Sequence, residues 1–217
     1  MPASMHLSDM DSTQQFWEDF YRDKDQVWSG KANPILVAEV DSLTPGRALD
    51  LGCGEGGDAI WLTQQGWQVT AVDISDVALK RAAGHAAEAG AEGIVWERHD
   101  LAKSFPEGRF DLVSAQFFHS PVAEDGEQDK ALRRATEAVA PGGTLIVAGH
   151  AGWPTWMEEP PHKDVHFPTP AEVLDALELA DGDWTVDRQD VITRDFPGPE
   201  GQQGTRSDNV LRVRRSG

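Results

Sequence analysis

The stretch from Ala48 to Leu62, ALDLGCGEGGDAIWL, constrains the fold more than any other part of the chain. A short apolar run, RALDL, has the length and composition of a buried strand. It runs into a turn holding Gly52, Gly54, Gly56 and Gly57, and the turn opens into DAIWLTQQ, which reads as a helix ended by Gly66. Glycine lacks a Cβ and adopts positive φ freely, so such a turn lets the backbone bend sharply and approach a ligand closely. A strand delivered into a helix in this way is the first half of a parallel β-α-β unit.

The alternation continues along the chain. WQVTAV reads as a second strand and SDVALKRAAGHAAEAG as a helix, with Ser75 as its cap and Gly90 beyond its end. GIVWERHD and RFDLVSAQFF read as strands three and four. EQDKALRRATEAVA reads as a helix stopped by Pro141-Gly142-Gly143, and TLIVAGH as strand five. Upstream, Ser12 and Gln15 form a capping-box pattern opening STQQFWEDFYRDK, where Phe16–Phe20 and Trp17–Tyr21 are four-apart aromatic pairs. Asn33-Pro34 opens PILVAEVDSL, which Pro45-Gly46 closes. Downstream, Thr169-Pro170 with Glu172 opens PAEVLDALELA, and WTVDRQDVITRDF and SDNVLRVRR are expected to pair as a long hairpin. Near-continuous apolar strands separated by helices predict a doubly wound α/β domain with a mostly parallel sheet covered on both faces. Ligands bind such sheets at the carboxyl ends of the strands, so residues just after each strand are the candidates.

A length of 217 residues suits a single domain. The formal net charge of −18 would repel phosphate backbones and anionic lipid surfaces, so neither nucleic acid nor membrane is an expected partner. No apolar run approaches the roughly 18 residues of a membrane span, and MPASMHLSDMDSTQQF lacks the basic and apolar regions of a secretory leader. Cys53 is the single cysteine, which excludes an internal disulfide and a multi-cysteine zinc site. These features predict a cytoplasmic location.

The glycine turn satisfies two spacings at once. Gly52, Gly54 and Gly57 fit G-x-G-x-x-G, the pyrophosphate-binding fingerprint of dinucleotide enzymes; Gly52, Gly54 and Gly56 fit G-x-G-x-G. Asp73, at the end of strand two, could accept ribose hydroxyls in either case. Asp50 separates them. A carboxylate two residues before the turn is unfavourable beside two phosphates, yet favourable beside a donor carrying an ammonium and a sulfonium. LDLGCGEG resembles the first motif of class I S-adenosylmethionine-dependent methyltransferases, and the resemblance extends over roughly residues 15 to 215.

That resemblance implies a Rossmann-like, seven-stranded sheet with an antiparallel C-terminal strand, and S-adenosyl-L-methionine as cofactor. It places Asp73 and Ile74 at the ribose, Asp100 and Leu101 at the adenine, and Gln116 and Phe117 (with Phe118) on the cofactor face of strand four. FWEDFYRDKDQVWSGKANPIL resembles the small-molecule subgroup related to tellurite-resistance and thiopurine methyltransferases, whose corresponding region forms a lid; Trp28 is then a further cofactor contact. The implied organisation is a helical lid over residues 1–45, a donor-binding core over 46–150, and an acceptor-side loop, last helix and hairpin over 151–217. Competing readings are an NAD-binding oxidoreductase and a non-catalytic S-adenosylmethionine-binding protein. Tyr21, the one tyrosine, has no lysine four residues on, so a Tyr-x-x-x-Lys dehydrogenase pair is absent.

The acceptor is narrowed by absence. SAQFFHSP replaces the Asp/Asn-Pro-Pro-Tyr type motif of nucleic-acid amino-methyltransferases, and no Pro-Cys dipeptide occurs. A small-molecule acceptor is expected. His119 follows strand four, where an imidazole could take a proton from the acceptor or line its pocket. Trp153, Trp156 and Met157 could cover an acceptor or pack against the sheet edge. His162 and His166 have a helical metal-pair spacing, but Pro160, Pro161 and Pro168 oppose a helix, and no metal is expected.

Overall fold

The computed structural model of the chain describes residues 12–161 and 165–217. Its strands are β1 (Arg47–Leu51), β2 (Gln68–Asp73), β3 (Val95–Arg98), β4 (Phe110–Gln116), β5 (Val139–His150), β6 (Trp184–Asp195) and β7 (Thr205–Arg215). Its helices are α1 (Ser12–Arg22), α2 (Pro34–Val40), α3 (Gly57–Gln64), α4 (Asp76–Glu88), α5 (Glu127–Ala138) and α6 (Pro170–Ala176). All seven strands form one sheet in the order β3-β2-β1-β4-β5-β7-β6. The first five are parallel, and β7 runs antiparallel to both β5 and β6. The winding reverses between β1 and β4, which opens a crevice at their carboxyl ends.

The apolar strands bury both faces, as their composition requires. On one side Leu49, Val113 and Leu145 pack with Ala131, Leu132 and Ala135 of α5. On the other, their neighbours Ala48, Leu112 and Ile146 pack with Leu36 of α2 and Leu62 of α3. Adjacent strand residues thus feed opposite layers, the period-2 consequence of the pleat. Removing a buried leucine from either layer costs about 2–5 kcal/mol.

The caps follow the sequence. The Asn33 side chain accepts from Ile35 N at 3.1 Å, the Ser75 side chain accepts from Ala78 N, and Thr169 and Glu172 close a reciprocal capping box. One boundary differs. Pro141-Gly142-Gly143 was expected to separate helix from strand, but β5 already begins at Val139, which pairs with Phe110. The register breaks between Phe110 and Leu112, so the Pro-Gly-Gly triplet interrupts the ladder instead of preceding it. Proline lacks the N–H that pairing needs, and the Gly142 N–H turns to Ser216 O at 3.3 Å.

Candidate active site

The turn after β1 takes its shape from three left-handed glycines. Gly52, Gly54 and Gly56 have φ of +67°, +52° and +87°, whereas Gly57 has no positive φ and begins α3. The G-x-G-x-G spacing therefore carries the backbone geometry. Gly57 serves another purpose: a Cβ there would lie 2.9 Å from Lys31 O, so its bareness admits the segment that crosses above the turn.

That segment, residues 23–33, is pinned by Glu55. The buried Glu55 carboxylate accepts from Val27 N at 3.0 Å and Trp28 N at 2.9 Å, and pairs with Arg81 of α4 at 3.0 Å. The indole N–H of Trp28 donates to Tyr21 Oη at 3.1 Å, and Trp28 itself stays half exposed at the rim. Helix α1 turns Glu18 inward as well. Glu18 accepts from Asp76 N at 2.7 Å, from Val77 N at 3.2 Å and from the Ser75 hydroxyl at 3.1 Å, capping α4 from outside. The α1 aromatics stack mainly on each other: Phe16 and Phe20 lie 6.4 Å apart, and Trp17 and Phe20 5.2 Å apart. Trp17 Nε1 donates to Ser120 Oγ at 3.2 Å, joining the roof to the loop after β4.

Beneath this roof lies a cavity of about 480 Å³ at the carboxyl ends of β1, β2 and β4, within the roughly 300–1,000 Å³ of small-molecule sites. Its walls include Trp28, Gly52, Gly54, Asp73 and Ile74, then Asp100, Leu101, Gln116, Phe117 and His119. Residues distant in sequence are thus gathered around one space.

Asp50 is the exception. It does not line the cavity; it is 2% exposed, buried beneath the turn, and its Oδ2 has no hydrogen-bond partner. β1 is covered on both faces, so a side chain at its penultimate position enters the interior. Burial, compounded by the carboxylates of Asp58 and Asp73, pushes its pKa well up and favours the neutral acid. The acids that line the cavity from this side are Glu55, whose carboxylate is taken up by the roof segment and Arg81, and Asp58 and Asp73. Asp58, at the start of α3, accepts from Asn33 N at 2.6 Å, and burial lifts its pKa to about 6. Asp73 accepts from Gly54 N at 2.9 Å and Ser75 N at 3.0 Å, yet burial outweighs those bonds and its pKa also stands at about 6.

The remaining candidates differ in how free they are. Asp100 accepts from Ala102 N at 3.1 Å and pairs with Lys103 at 2.7 Å, with Leu101 buried beside it. Gln116 donates to Ser114 Oγ at 3.1 Å, while its buried Oε1 has no partner. Phe117 has a φ of +52°, a left-handed conformation that costs a residue with a Cβ about 1–3 kcal/mol. A 2.7 Å bond from its N–H to Ala148 O holds it there, and its ring lies 4.4 Å from that of His150. His119 sits exposed at the rim with Nδ1 2.9 Å from Phe117 O. Partial desolvation within the cavity lowers its pKa from 6.5, and His150 and Arg206 add to that lowering. Burial pushes the Cys53 thiol well up, which keeps it in the unreactive protonated form.

Trp153 and Trp156 do not reach the cavity wall. Trp153 packs edge-on against Phe167 at 5.5 Å, and Trp156 stacks on Phe196 at 6.5 Å. His162 lies outside the described residues, and His166 pairs with Glu172 at 3.1 Å. Among the described residues no group of three histidines, cysteines or acids is arranged around a metal position, and no helix is long and apolar enough to cross a membrane.

Several site residues had no signal in the sequence. Glu18, Glu55 and Asp58 belong to no motif that singles them out in the sequence. His150, Arg194 and Arg206 line the far end of the cavity, and Asp208 lies behind them. They meet only because β7 inserts between β5 and β6.

Known proteins agree with this architecture. A family model described as a methyltransferase domain matches residues 48–143. The 2-heptyl-1-hydroxyquinolin-4(1H)-one methyltransferase of Mycobacteroides abscessus is 29% identical over 168 residues, 74% of this chain and 69% of that protein. Thiocyanate methyltransferase 1 of Arabidopsis thaliana is 30% identical over 149 residues, 64% of this chain and 65% of that protein. The solved structure of the N-methyltransferase NodS from Bradyrhizobium japonicum, in complex with S-adenosyl-L-homocysteine, superposes with a TM-score of 0.64 at 18% identity, covering 94% of this chain and 99% of that one. The matched methyltransferase domain, these relatives and the seven-stranded sheet together support a class I S-adenosylmethionine-dependent methyltransferase.

Proposed function

We propose that the chain methylates a small-molecule acceptor by direct in-line displacement. The observation that carries this reading is the pairing, in one cavity, of an acid-lined donor end with an acceptor end closed by aromatic and imidazole side chains. Asp58 and Asp73, lifted by burial to a pKa of about 6, complement a cationic ligand, which would draw them into their charged forms. The unpartnered Gln116 Oε1 supplies a further acceptor aimed at a ligand's donors. The site therefore fits S-adenosylmethionine, which when bound supplies an electrophilic methyl on a sulfonium whose sulfur keeps the bonding electron pair.

The protein's part is to hold and orient. Asp73 accepts from ribose hydroxyls, Asp100 accepts from the adenine amine, and Ile74 and Leu101 supply apolar walls. Gly52 and Gly54 leave room above the turn, and Trp28 closes the rim. Gln116 and Phe117 border the reacting end. His119, neutral at pH 7 because its pKa is lowered, takes the proton that an acceptor hydroxyl or thiol releases. Positioning and water exclusion by the roof contribute up to about 7–11 kcal/mol in favourable intramolecular models. The relatives named for a hydroxyquinolone and for thiocyanate both support a small acceptor.

Calorimetric titration with S-adenosylmethionine, S-adenosylhomocysteine and NAD, followed by an acceptor screen read by mass spectrometry, tests the reading. Binding of the two sulfur ligands and not NAD, with a methylated product, is expected; NAD binding alone would overturn it. Asp73→Ala should weaken donor binding by about 1–3 kcal/mol, through loss of charge-assisted bonds. His119→Ala should lower turnover most for acceptors that are un-ionised at the assay pH; unchanged turnover would remove the proton-acceptor role.

A further inference from the structure

The acceptor end of the cavity holds a positive cluster to which the reading above gives no task. His150 ends β5, Arg194 lies near the end of β6, and Arg206 stands at the start of β7; all three line the cavity. They converge on the carboxylate of Asp208, which is 1% exposed. Its Oδ1 lies 2.9 Å from His150 Nδ1 and 3.8 Å from Arg206 Nε, and its Oδ2 lies 3.0 Å from Arg194 Nε. No other acid pairs with either arginine among the described residues. Two permanent cations therefore share one carboxylate, and a positive charge is left over.

Arg206 is the cation left short. Its side chain is only 18% exposed, and its buried Nε makes no hydrogen bond among the described residues. Both guanidinium groups lie over the Phe196 ring, Arg194 at 5.1 Å and Arg206 at 5.4 Å, so an aromatic face replaces water beneath them. A partly buried guanidinium without full compensation is costly unless an anion completes it. A chain of net charge −18 that spends two arginines on one cavity wall is equipped to take up a negative ligand there.

The charge also lies next to the reacting centre. The His119 ring is 5.9 Å from that of His150, and Arg206 is close enough to help lower the His119 pKa. The groups facing His119 from the neighbouring strands are thus His150, Arg194, Arg206 and Asp208. An anion held by Arg206 would therefore share the cavity wall with His119.

We propose that Arg206, supported by Arg194 and the Asp208-held His150, forms the anion subsite of the acceptor pocket, and that the acceptor is a small acid methylated at its ionised hydroxyl or thiol. This rests on the methyl-transfer reading. The acceptor X–H gives its proton to His119, which passes it to water. The electron pair left on X forms the bond to the methyl group as the sulfur–methyl bond breaks, its pair staying on sulfur. Arg206 holds X⁻ in place until then.

The test uses the full chain saturated with S-adenosylhomocysteine, so that binding is read without turnover. Tryptophan fluorescence follows 4-nitrophenol, 4-nitrothiophenol and 1-hydroxypyridin-2-one, each beside its own methylated counterpart. At least one acid should bind roughly tenfold or more tightly than its counterpart, the size of a charge-assisted bond. Its affinity should fall as pH drops below its own pKa, while that of the neutral counterpart does not follow this curve. Arg206→Gln should erase the preference and leave S-adenosylhomocysteine affinity within about twofold, and Arg206→Lys should restore part of it. No acid preferred over its counterpart, an affinity that ignores the acid's ionisation, or a preference that survives Arg206→Gln would each overturn the proposal. The wild-type pH series decides it even if the glutamine variant does not fold. Absence of S-adenosylhomocysteine binding would instead sink the methyl-transfer reading.

Discussion

Asp58 and Asp73 face the cavity with pKa values of about 6, although their ordinary value is 3.8. Between those values the folded protein binds more protons than the unfolded chain. Its stability contribution from these groups is therefore largest at low pH and falls as pH rises through about 4 to 6. A cationic donor reverses the balance, because it favours the ionised carboxylates. Donor affinity should then rise from pH 5 to pH 7 and level off above, with proton release near pH 6 visible as a buffer-dependent calorimetric enthalpy. Each protonated acid would oppose binding by about 1.4 kcal/mol per pH unit below its pKa. A donor affinity flat from pH 5 to 7 would remove these acids from the donor site. Asp50 shows where sequence reasoning stops at this scale. A carboxylate before the glycine turn was legible as part of the motif, and the loop that it marks lines the cavity. Which way its side chain points depends on the covering of β1, which no local pattern states, so the acid on the wall proved to be Asp58.

At the scale of elements, the apolar runs and capping residues made β1, β2, β4 and α2 to α6 readable, because those signals lie within a few residues of each other. The roof was readable only as a helix followed by a loop. Its attachment depends on Glu55 reaching back to Val27 N and Trp28 N and across to Arg81, contacts that span tens of residues. Glu55→Ala leaves two backbone donors and a partly buried guanidinium without their acceptor, at a cost of about 1–3 kcal/mol. The expected result is a looser residue 23–33 segment with the sheet intact. Limited trypsin digestion at Lys24 and Lys31 should accelerate, and S-adenosylhomocysteine should dissociate faster, since opening a roof acts mainly on the off-rate. Unchanged cleavage would show that the aromatic contacts of Phe20, Tyr21 and Trp28 hold the segment by themselves.

For the molecule as a whole, the C-terminal hairpin closes the sheet and carries Arg194, Arg206 and Asp208 to the cavity. On its opposite flank it is clamped to α2. The buried Glu39 pairs with Arg188 of β6 and, at 3.3 Å, with Arg212 of β7, while the Arg212 guanidinium also donates to the Glu39 carbonyl at 3.1 Å. The two ends of the hairpin are therefore separable, one serving stability and the other the pocket. Glu39→Ala removes the buried carboxylate that both arginines share, leaving Arg188 its exposed pair with Asp190 at 3.4 Å and Arg212 its longer pair with Asp187 at 4.0 Å. Arg188 is about a third exposed, which moderates the loss to about 1–3 kcal/mol. For a chain of 217 residues each kcal/mol lowers Tm by roughly 2–4 °C, so a drop of roughly 2–12 °C is expected by calorimetric scanning. Saturating S-adenosylhomocysteine should still raise Tm by the wild-type increment, because stabilisation by a ligand depends on its affinity and Glu39 touches no part of the cavity wall. If that increment collapsed together with Tm, the clamp and the donor site would be one cooperative unit, and the hairpin would act on the ligand from both of its ends.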